Sequence, residues 1–484
     1  GVVLNSLDIK IRENFPDESV LKIKSRYSAF SSRNLPSFIK DWLIKKYTST
    51  DGSLDVEGLI SFMDNHIPCK DESILVKLKT QKEPIKILSR FNIQVDLKKD
   101  LFRFEIPDHG ISLNIGIIPD YVFKKHEKYL SDGEHWGVIT LIYVPPMGNI
   151  SGHVNIIDYK PFQPYQVDLE YFKSARKNFT VYEWIDLLIR SMEYNPDNKD
   201  RQTGFSSIDR KLLFISRLLV FVEPNLNLIE LAPKGTGKSY VFGNLSKYTW
   251  MFSGGVVSRA KLLYDIGRRT PGIIENYDFV TFDEIETIKF SNEDELLGAL
   301  KNYLESGRFT VANYSGSSEA GLMMLGNIAL SPDWQPLSNR YFASLPVFFQ
   351  SSALMDRIHG FIEGWKLIRL NQGLIVNGYT LNVEYFSEIL HKLRNCSHYS
   401  QIVSDLIQIP QNSDTRDVKA IIKLATAYLK LLYPHISHAS EIDKEEFNLF
   451  CLSPAIEKRK IIREQRSFVD TEVTTEMPNI SLKE

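Results

Sequence analysis

Apolar residues change their period several times along this chain, and each change marks a different kind of element. Residues 1–72 read as helical: in RNLPSFIKDWLIKKYTS, the residues Leu35, Phe38, Ile39, Trp42, Leu43 and Tyr47 recur at the intervals of one helix face. From 73 to 157 the period shortens towards two. ILVKLKT, IKILSRFNIQVDL, LFRFEIP, ISLNIGIIP, GVITLIYVPP and GHVNIID are short runs separated by turn residues, which predicts a small β-rich barrel of the oligonucleotide-binding kind by analogy. Residues 158–223 form a joint broken by Pro161 and Pro164, then two amphipathic helices, VYEWIDLLIRSME and IDRKLLFISRLLVFV, the second stopped at Pro224. Strand-like runs then alternate with helices over 224–375, the pattern of an α/β core. A helical region follows over 376–445, and 446–484 reads as a C-terminal helix with a flexible polar tail.

The strand-like run LNLIEL opens the most informative stretch, LNLIELAPKGTGKSY. It ends at Leu231, and the loop Pro233, Lys234, Gly235, Thr236, Gly237 leads into Lys238, Ser239 and Tyr240 at the start of a helix. Successive backbone N–H groups in such a loop surround phosphate, Lys238 reaches the β and γ oxygens of ATP, and the Ser239 hydroxyl suits Mg2+. Ala232 stands where the usual pattern has its first glycine, which is acceptable only if the backbone there needs no positive φ.

Further along, DFVTFDE delivers two adjacent acids at the carboxyl end of a short apolar strand, where nucleotides bind in open α/β sheets. Asp283 would hold Mg2+ and Glu284 would orient and deprotonate the attacking water. GLMMLGN is another strand and ends at Asn327, whose amide can polarise that water, although an ordinary turn residue reads the same way. Arg357 in LMDRIHG can offer a guanidinium to a neighbouring subunit, or form a surface salt bridge; Arg416 opens the helix RDVKAIIKLATAYLKLLYP, from which it can reach a nucleotide under a helical lid, or stand as a simple exposed arginine. RFTVANYSGSS reads as a hairpin or loop. Lys40, Lys45 and Lys46 on the N-terminal helical face, and Arg259, Lys261 and Arg308 near the core, are candidate DNA phosphate contacts; solvated surface charge accounts for the same residues. In Phe102-Arg103-Phe104, rings and a guanidinium on opposite faces of a strand suit base stacking and phosphate contact, and suit an ordinary half-buried strand equally.

Composition narrows the class without naming the activity. The chain has 484 residues, 43% hydrophobic and 24% charged, with a formal net charge of −2, so the whole molecule exerts no pull on DNA or on a membrane surface. Its three cysteines lack metal-ligand spacing and fit a reducing cytoplasm, and no apolar run reaches the roughly 18 residues of a membrane span. A cytoplasmic protein without membrane contact is expected.

Taken together, these blocks resemble the BrxL family, the Lon-related AAA+ proteins of bacterial BREX anti-phage systems. The likeness covers nearly the whole chain, through LIELAPKGTGKSYVFGNLS, YDFVTFDEIETIKF, ALKNYLESGRF, MMLGNIAL, LMDRIHGFIEGWK and FTVYEWIDLLIRSMEYNPD. It implies an α/β fold: an AAA+ P-loop ATPase core with a helical lid, preceded by a helical N-terminal region and a small β-rich, barrel-like domain. By resemblance Lys238 and Ser239 belong to Walker A, Asp283 and Glu284 to Walker B, and Asn327 to sensor 1. Arg357 is similar to the trans-acting arginine finger and Arg416 to a lid sensor. ATP and Mg2+ are the implied ligands. The implied assembly is a homo-oligomeric ring, a hexamer or stacked hexamers, acting on double-stranded DNA with other BREX defence proteins. Members of the family also carry a Lon-type domain with a Ser–Lys dyad. Only about 40 residues follow the lid helices here, so the expectation is an ATPase with no protease activity of its own. A protein remodeller or unfoldase serving a separate protease is the alternative function.

Overall fold

The computed structural model describes residues 3–33, 35–49, 52–69, 72–130, 133–162 and 167–484. Two compact units form. One comprises residues 23–165; the other joins residues 1–22 to 166–484.

The first unit holds the barrel. Its strands are β1 (Ile85–Asp96), β2 (Leu101–Glu105), β3 (Gly116–Ile118), β4 (Gly133–Val144) and β5 (His153–Pro161), and they close in the order β1-β2-β3-β5-β4. β3 and β5 run parallel and the other pairs antiparallel, with the helix Asp120–Lys125 between β3 and β4 along the chain. This is the barrel expected from the short alternating runs. Inward residues such as Ile87, Phe104, Ile139, Leu141 and Ile156 fill it. The helices α1 (Ser37–Lys46) and α2 (Val56–His66) belong to the same unit.

One reading of this region changes, and an open one is decided. ILVKLKT, expected as a strand, lies in the helix Ile74–Gln81: the Ser73 side chain accepts from the Val76 N–H at 3.3 Å, and Ile74 and Leu78, one turn apart, are both buried. An alternating run this short fits either period, and the N-cap with the buried i, i+4 pair favours the helix. Phe102-Arg103-Phe104 is engaged within the unit. Phe104 is wholly buried, Phe102 stacks on Phe123 at 3.7 Å, and Arg103 bonds to Asp96 at 3.0 Å and to the Leu113 carbonyl at 3.1 Å.

The second unit is built on a parallel five-stranded sheet of β6 (Leu228–Leu231), β7 (Thr249–Ser253), β8 (Phe279–Asp283), β9 (Gly321–Gly326) and β10 (Gly360–Glu363), in the order β10-β6-β9-β8-β7. β6, β8 and β9 are buried along their full length, as befits strands covered on both faces. That explains why they read as continuous apolar runs. The carboxyl ends of β6, β8 and β9 deliver Ala232, Glu284 and Asn327 respectively. RFTVANYSGSS forms a hairpin, with Arg308–Val311 paired to Tyr314–Ser317.

Residues 1–22 fold with this sheet unit. The strand Ser19–Lys22 pairs antiparallel with Gly378–Leu381, and Asp8 meets Arg190 at 2.6 Å, both side chains nearly inaccessible. The helices α4 (Thr415–Leu432) and α5 (Ser453–Val469) complete the unit. The wholly buried Arg459 of α5 joins Asp417 at 2.7 Å and Asp356 at 2.6 Å. The tail, expected without regular structure, ends in Ser481–Leu482 paired antiparallel with Ile407–Gln408; the neighbouring Ile480 is buried, giving the segment an apolar anchor. No helix among the described residues is long and apolar enough to cross a membrane.

Candidate active site

The loop after β6 is shaped by its glycines. Gly235 and Gly237 take φ of 87° and 73°, whereas Ala232 is not among the residues with positive φ. The Ala232 N–H donates to the Gly326 carbonyl at 3.0 Å, so the residue continues the strand register instead of turning. Alanine is therefore tolerated. Its methyl faces Gly364: a Cβ built there would stand 2.4 Å from the Ala232 Cβ and 2.8 Å from the Leu231 carbonyl. Gly364→Ala is expected to lower stability by about 1–3 kcal/mol through overpacking. Ala232→Gly in the same chain should recover part of the loss, because one of the two clashes disappears; denaturant midpoints of the single and double variants measure both effects.

Gly237 ends the loop and precedes α3 (Lys238–Asn244). A side chain at 237 would meet the Tyr194 hydroxyl at 2.2 Å. Two successive positive-φ glycines flanking Thr236 make the concave backbone that anions occupy. Beyond the loop opens a cleft of about 480 Å3, lined by Lys234 to Tyr240, by Asp283 and Glu284 from β8, and by Asn327 from β9. Leu370 closes one side, its N–H donating to the Gly235 carbonyl at 2.6 Å. Pro233 contributes through its carbonyl, 3.4 Å from the Lys238 ammonium.

Lys238 is buried, and its Nζ donates to Asn327 Oδ1 at 3.2 Å. Burial pushes its pKa below the ordinary lysine value and Arg217 adds to this, while Glu230, Asp283 and Glu286 oppose it. Its hydrogen-bond partners are neutral oxygens, so an arriving phosphate would supply the direct counter-charge. The other end of the Asn327 amide donates from Nδ2 to Glu286 Oε1 at 2.8 Å, which fixes its orientation. Asp283 is buried and accepts from the Glu284 N–H at 2.9 Å. Glu284 is exposed and left-handed, with φ of 52°, and its carbonyl receives the Thr287 N–H at 2.8 Å. A non-glycine residue held there marks a local constraint, and this turn presents the Glu284 side chain to the cleft.

Ser239 and Asp283 lie in the same cleft, and no cluster of three or more His, Cys, Asp or Glu among the described residues forms a metal cage. One hydroxyl and one carboxylate beside a phosphate loop is the donor set that suits Mg2+ arriving with nucleotide phosphates, which complete its coordination. Bound there, the ion would neutralise charge on the phosphate oxygens.

Several supporting residues are not legible as motifs. Arg217 and Glu230 are both wholly buried and joined by two hydrogen bonds of 2.8 Å, and Arg217 also donates to the Thr236 carbonyl at 3.0 Å. The phosphate loop thus hangs from a buried ion pair. Glu286 follows Glu284 by two residues in FDEIE, a third acid whose role emerges only through Asn327. Tyr240 bonds to Glu193, which also pairs with Lys22 at 3.0 Å.

Arg357 and Arg416 do not line this cleft. They share Glu305, with Nε atoms 3.5 and 3.4 Å from its Oε2, and Arg416 also reaches Asp356 at 3.0 Å. Among the DNA candidates, Arg259 pairs with Glu295, Lys261 lies 4.9 Å above the Trp250 ring, and Arg308 is exposed at the foot of the hairpin. Lys40 and Lys45 are half-buried; Lys46 is exposed and lies 4.7 Å from the Phe62 ring and 4.9 Å from the Trp42 ring.

The family model described as the Lon-like protease BrxL-like ATPase domain matches residues 154–477, and that of the BREX system Lon protease-like protein BrxL N-terminal region matches 13–143. The Lon-like protease BrxL of Escherichia coli O9:H4 (strain HS) is 29% identical over 464 residues, covering 95% of this chain and 64% of that protein. Its counterpart from Bacillus cereus (strain H3081.97) is 28% identical over 469 residues, covering 96% of this chain and 67% of its own length. The parallel sheet, the phosphate loop and the acidic strand end all lie within 154–477, so the chain belongs to the BrxL family and carries its AAA+ ATPase domain.

Proposed function

We propose that this chain hydrolyses ATP between the subunits of a homo-oligomeric ring and spends the resulting motion on double-stranded DNA in BREX-type anti-phage defence. The observation that carries the reading is the convergence of Lys238, Ser239, Asp283, Glu284 and Asn327 on one cleft while Arg357 stays outside it. Lys238 and the loop amides bind the phosphates; Ser239 and Asp283 hold Mg2+; Glu284 takes the proton of the attacking water, and Asn327 positions that water. No arginine is among the described residues lining the cleft, so the charge that stabilises phosphoryl transfer comes from a neighbour's Arg357. Arg416, sharing Glu305 with Arg357, would act from the same side. Either a single hexamer or stacked hexamers accommodates this arrangement.

The test mixes two inactive proteins. Lys238→Ala and Arg357→Ala are each expected to be inactive alone. Random mixing in a head-to-tail ring leaves about one interface in four with an intact phosphate loop facing an intact Arg357, so ATP turnover should reappear. A mixture that stays inactive although subunits exchange would remove the trans role. Turnover stimulated by duplex DNA supports the DNA reading, and turnover stimulated only by unfolded polypeptide favours the remodeller.

A further inference from the structure

Within the barrel unit, helices α1 and α2 and the face of β1, β4 and β5 enclose a cleft of about 420 Å3, inside the roughly 300–1,000 Å3 range of small-ligand sites. The strand register builds one wall. Lys86 lies opposite Thr140 and Thr140 opposite Asp158; one step along, Leu88 lies opposite Val138 and Val138 opposite Lys160. Ile87 and Ile139 point into the barrel core, so these alternate positions face outwards. The helices supply the other wall with Trp42 and Phe62, and Phe162 stands 5.4 Å from Trp42 at one end. Phe62 also stacks on His66 at 4.6 Å.

Charge in the cleft is lopsided. Lys46, Lys86 and Lys160 line it, and none forms an ion pair among the described residues. Asp158, the one carboxylate among the described residues lining the cleft, lies 3.9 Å from Lys125 and 3.6 Å from His126. Lys86 and Lys160 without an ion pair, and Lys46 held over the edge of the Trp42 and Phe62 wall at 4.9 and 4.7 Å, match a flat ring carrying phosphate, which takes the place of the Lys46 ammonium on the rings and draws it to the phosphate. This face is also distinct from the β2 and β3 side that barrels of this type use for oligonucleotides, where Phe102 and Arg103 are already engaged.

We propose that this cleft receives one unpaired nucleotide of a DNA strand, its base against Trp42 and Phe62 and its phosphates held by Lys46, Lys86 and Lys160. The proposal rests on the DNA reading above and adds the form of DNA selected: a duplex interrupted by an open base, in preference to a perfect one.

Anisotropy titrations of the full chain compare a perfect duplex, the same duplex with one bulged thymidine, and one of its strands alone. The bulged and single-stranded probes should bind at least about tenfold tighter than the perfect duplex, the scale of one stacked base. Lys86→Glu with Lys160→Glu should abolish that preference while leaving the perfect duplex within about twofold, and should flatten the single-strand salt dependence by about 1.4 in log–log slope, about 0.7 for each phosphate no longer neutralised. Trp42→Leu should act in the same direction; if it melts early, the two exposed lysines decide alone. Equal weakening for all three probes, or no weakening, overturns the cleft and leaves the DNA reading standing. Failure to bind any of the three overturns both, and full competition by free dTMP at matched nucleotide concentration overturns the assignment to a strand.

Discussion

Glu284→Gln is expected to leave ATP bound and to lower its turnover by about 10²–10⁴, the contribution of a positioned general base. Glutamine keeps the length and the left-handed turn at 284 but cannot accept the proton, and the loop that binds phosphate is untouched. Lys238→Ala acts earlier. It removes the buried ammonium that donates to Asn327 and to the Pro233 carbonyl, so nucleotide binding itself should be lost. A fluorescent ATP analogue and a phosphate-release assay separate the two outcomes: bound without turnover for Glu284→Gln, unbound for Lys238→Ala. Near-normal hydrolysis by Glu284→Gln would take the base assignment away from this residue.

Breaking the ion pair beneath the loop should be as damaging, through stability. Arg217 and Glu230 have no exposure to solvent and satisfy one another with paired hydrogen bonds, so Arg217→Met or Glu230→Leu strands an uncompensated buried charge, at a cost of about 3–5 kcal/mol. The double replacement removes both charges together and should recover much of that loss. It should not recover nucleotide binding, because the Thr236 carbonyl still lacks its donor and the loop is no longer held. Chemical denaturation and nucleotide titration of the three variants report the two effects separately. Equal recovery of stability and binding would reduce Arg217 to a packing role.

The contrast between the lysine lining the cleft and the buried arginine beneath it mirrors what the residues reveal in linear order. The strands ending at Leu231, Asp283 and Gly326 are buried on both faces, so each appears as an unbroken apolar run, and the chemistry follows immediately as glycines, acids or an amide. Arg217 leaves no such trace. In IDRKLLFISRLLVFV it occupies a plausible polar position of one continuous helix, yet the helix Ile208–Ile215 gives way to a 3₁₀ turn at Ser216–Leu218, within which Arg217 is wholly buried and bonded to Glu230. Periodicity registers neither the break nor the pairing. ILVKLKT fails differently, being too short to separate the two periods, and residues 1–22 find their partner strand only at Gly378–Leu381, a separation no local pattern can bridge.

That last pairing bears on how such a protein can change over generations. Residues 23–165 form a unit of their own, flanked on both sides by sequence that belongs to the other unit. The barrel is therefore a cassette inserted within the fold of the sheet unit. Its surface can be rewritten between Ile23 and Tyr165 while Ser19–Lys22 keeps its place beside Gly378–Leu381 and Asp8 keeps Arg190. Removing Asp8 and Ser19–Lys22 along with the barrel would orphan Arg190 and Gly378–Leu381, so substitution inside the cassette disturbs the sheet unit less than removal of all three.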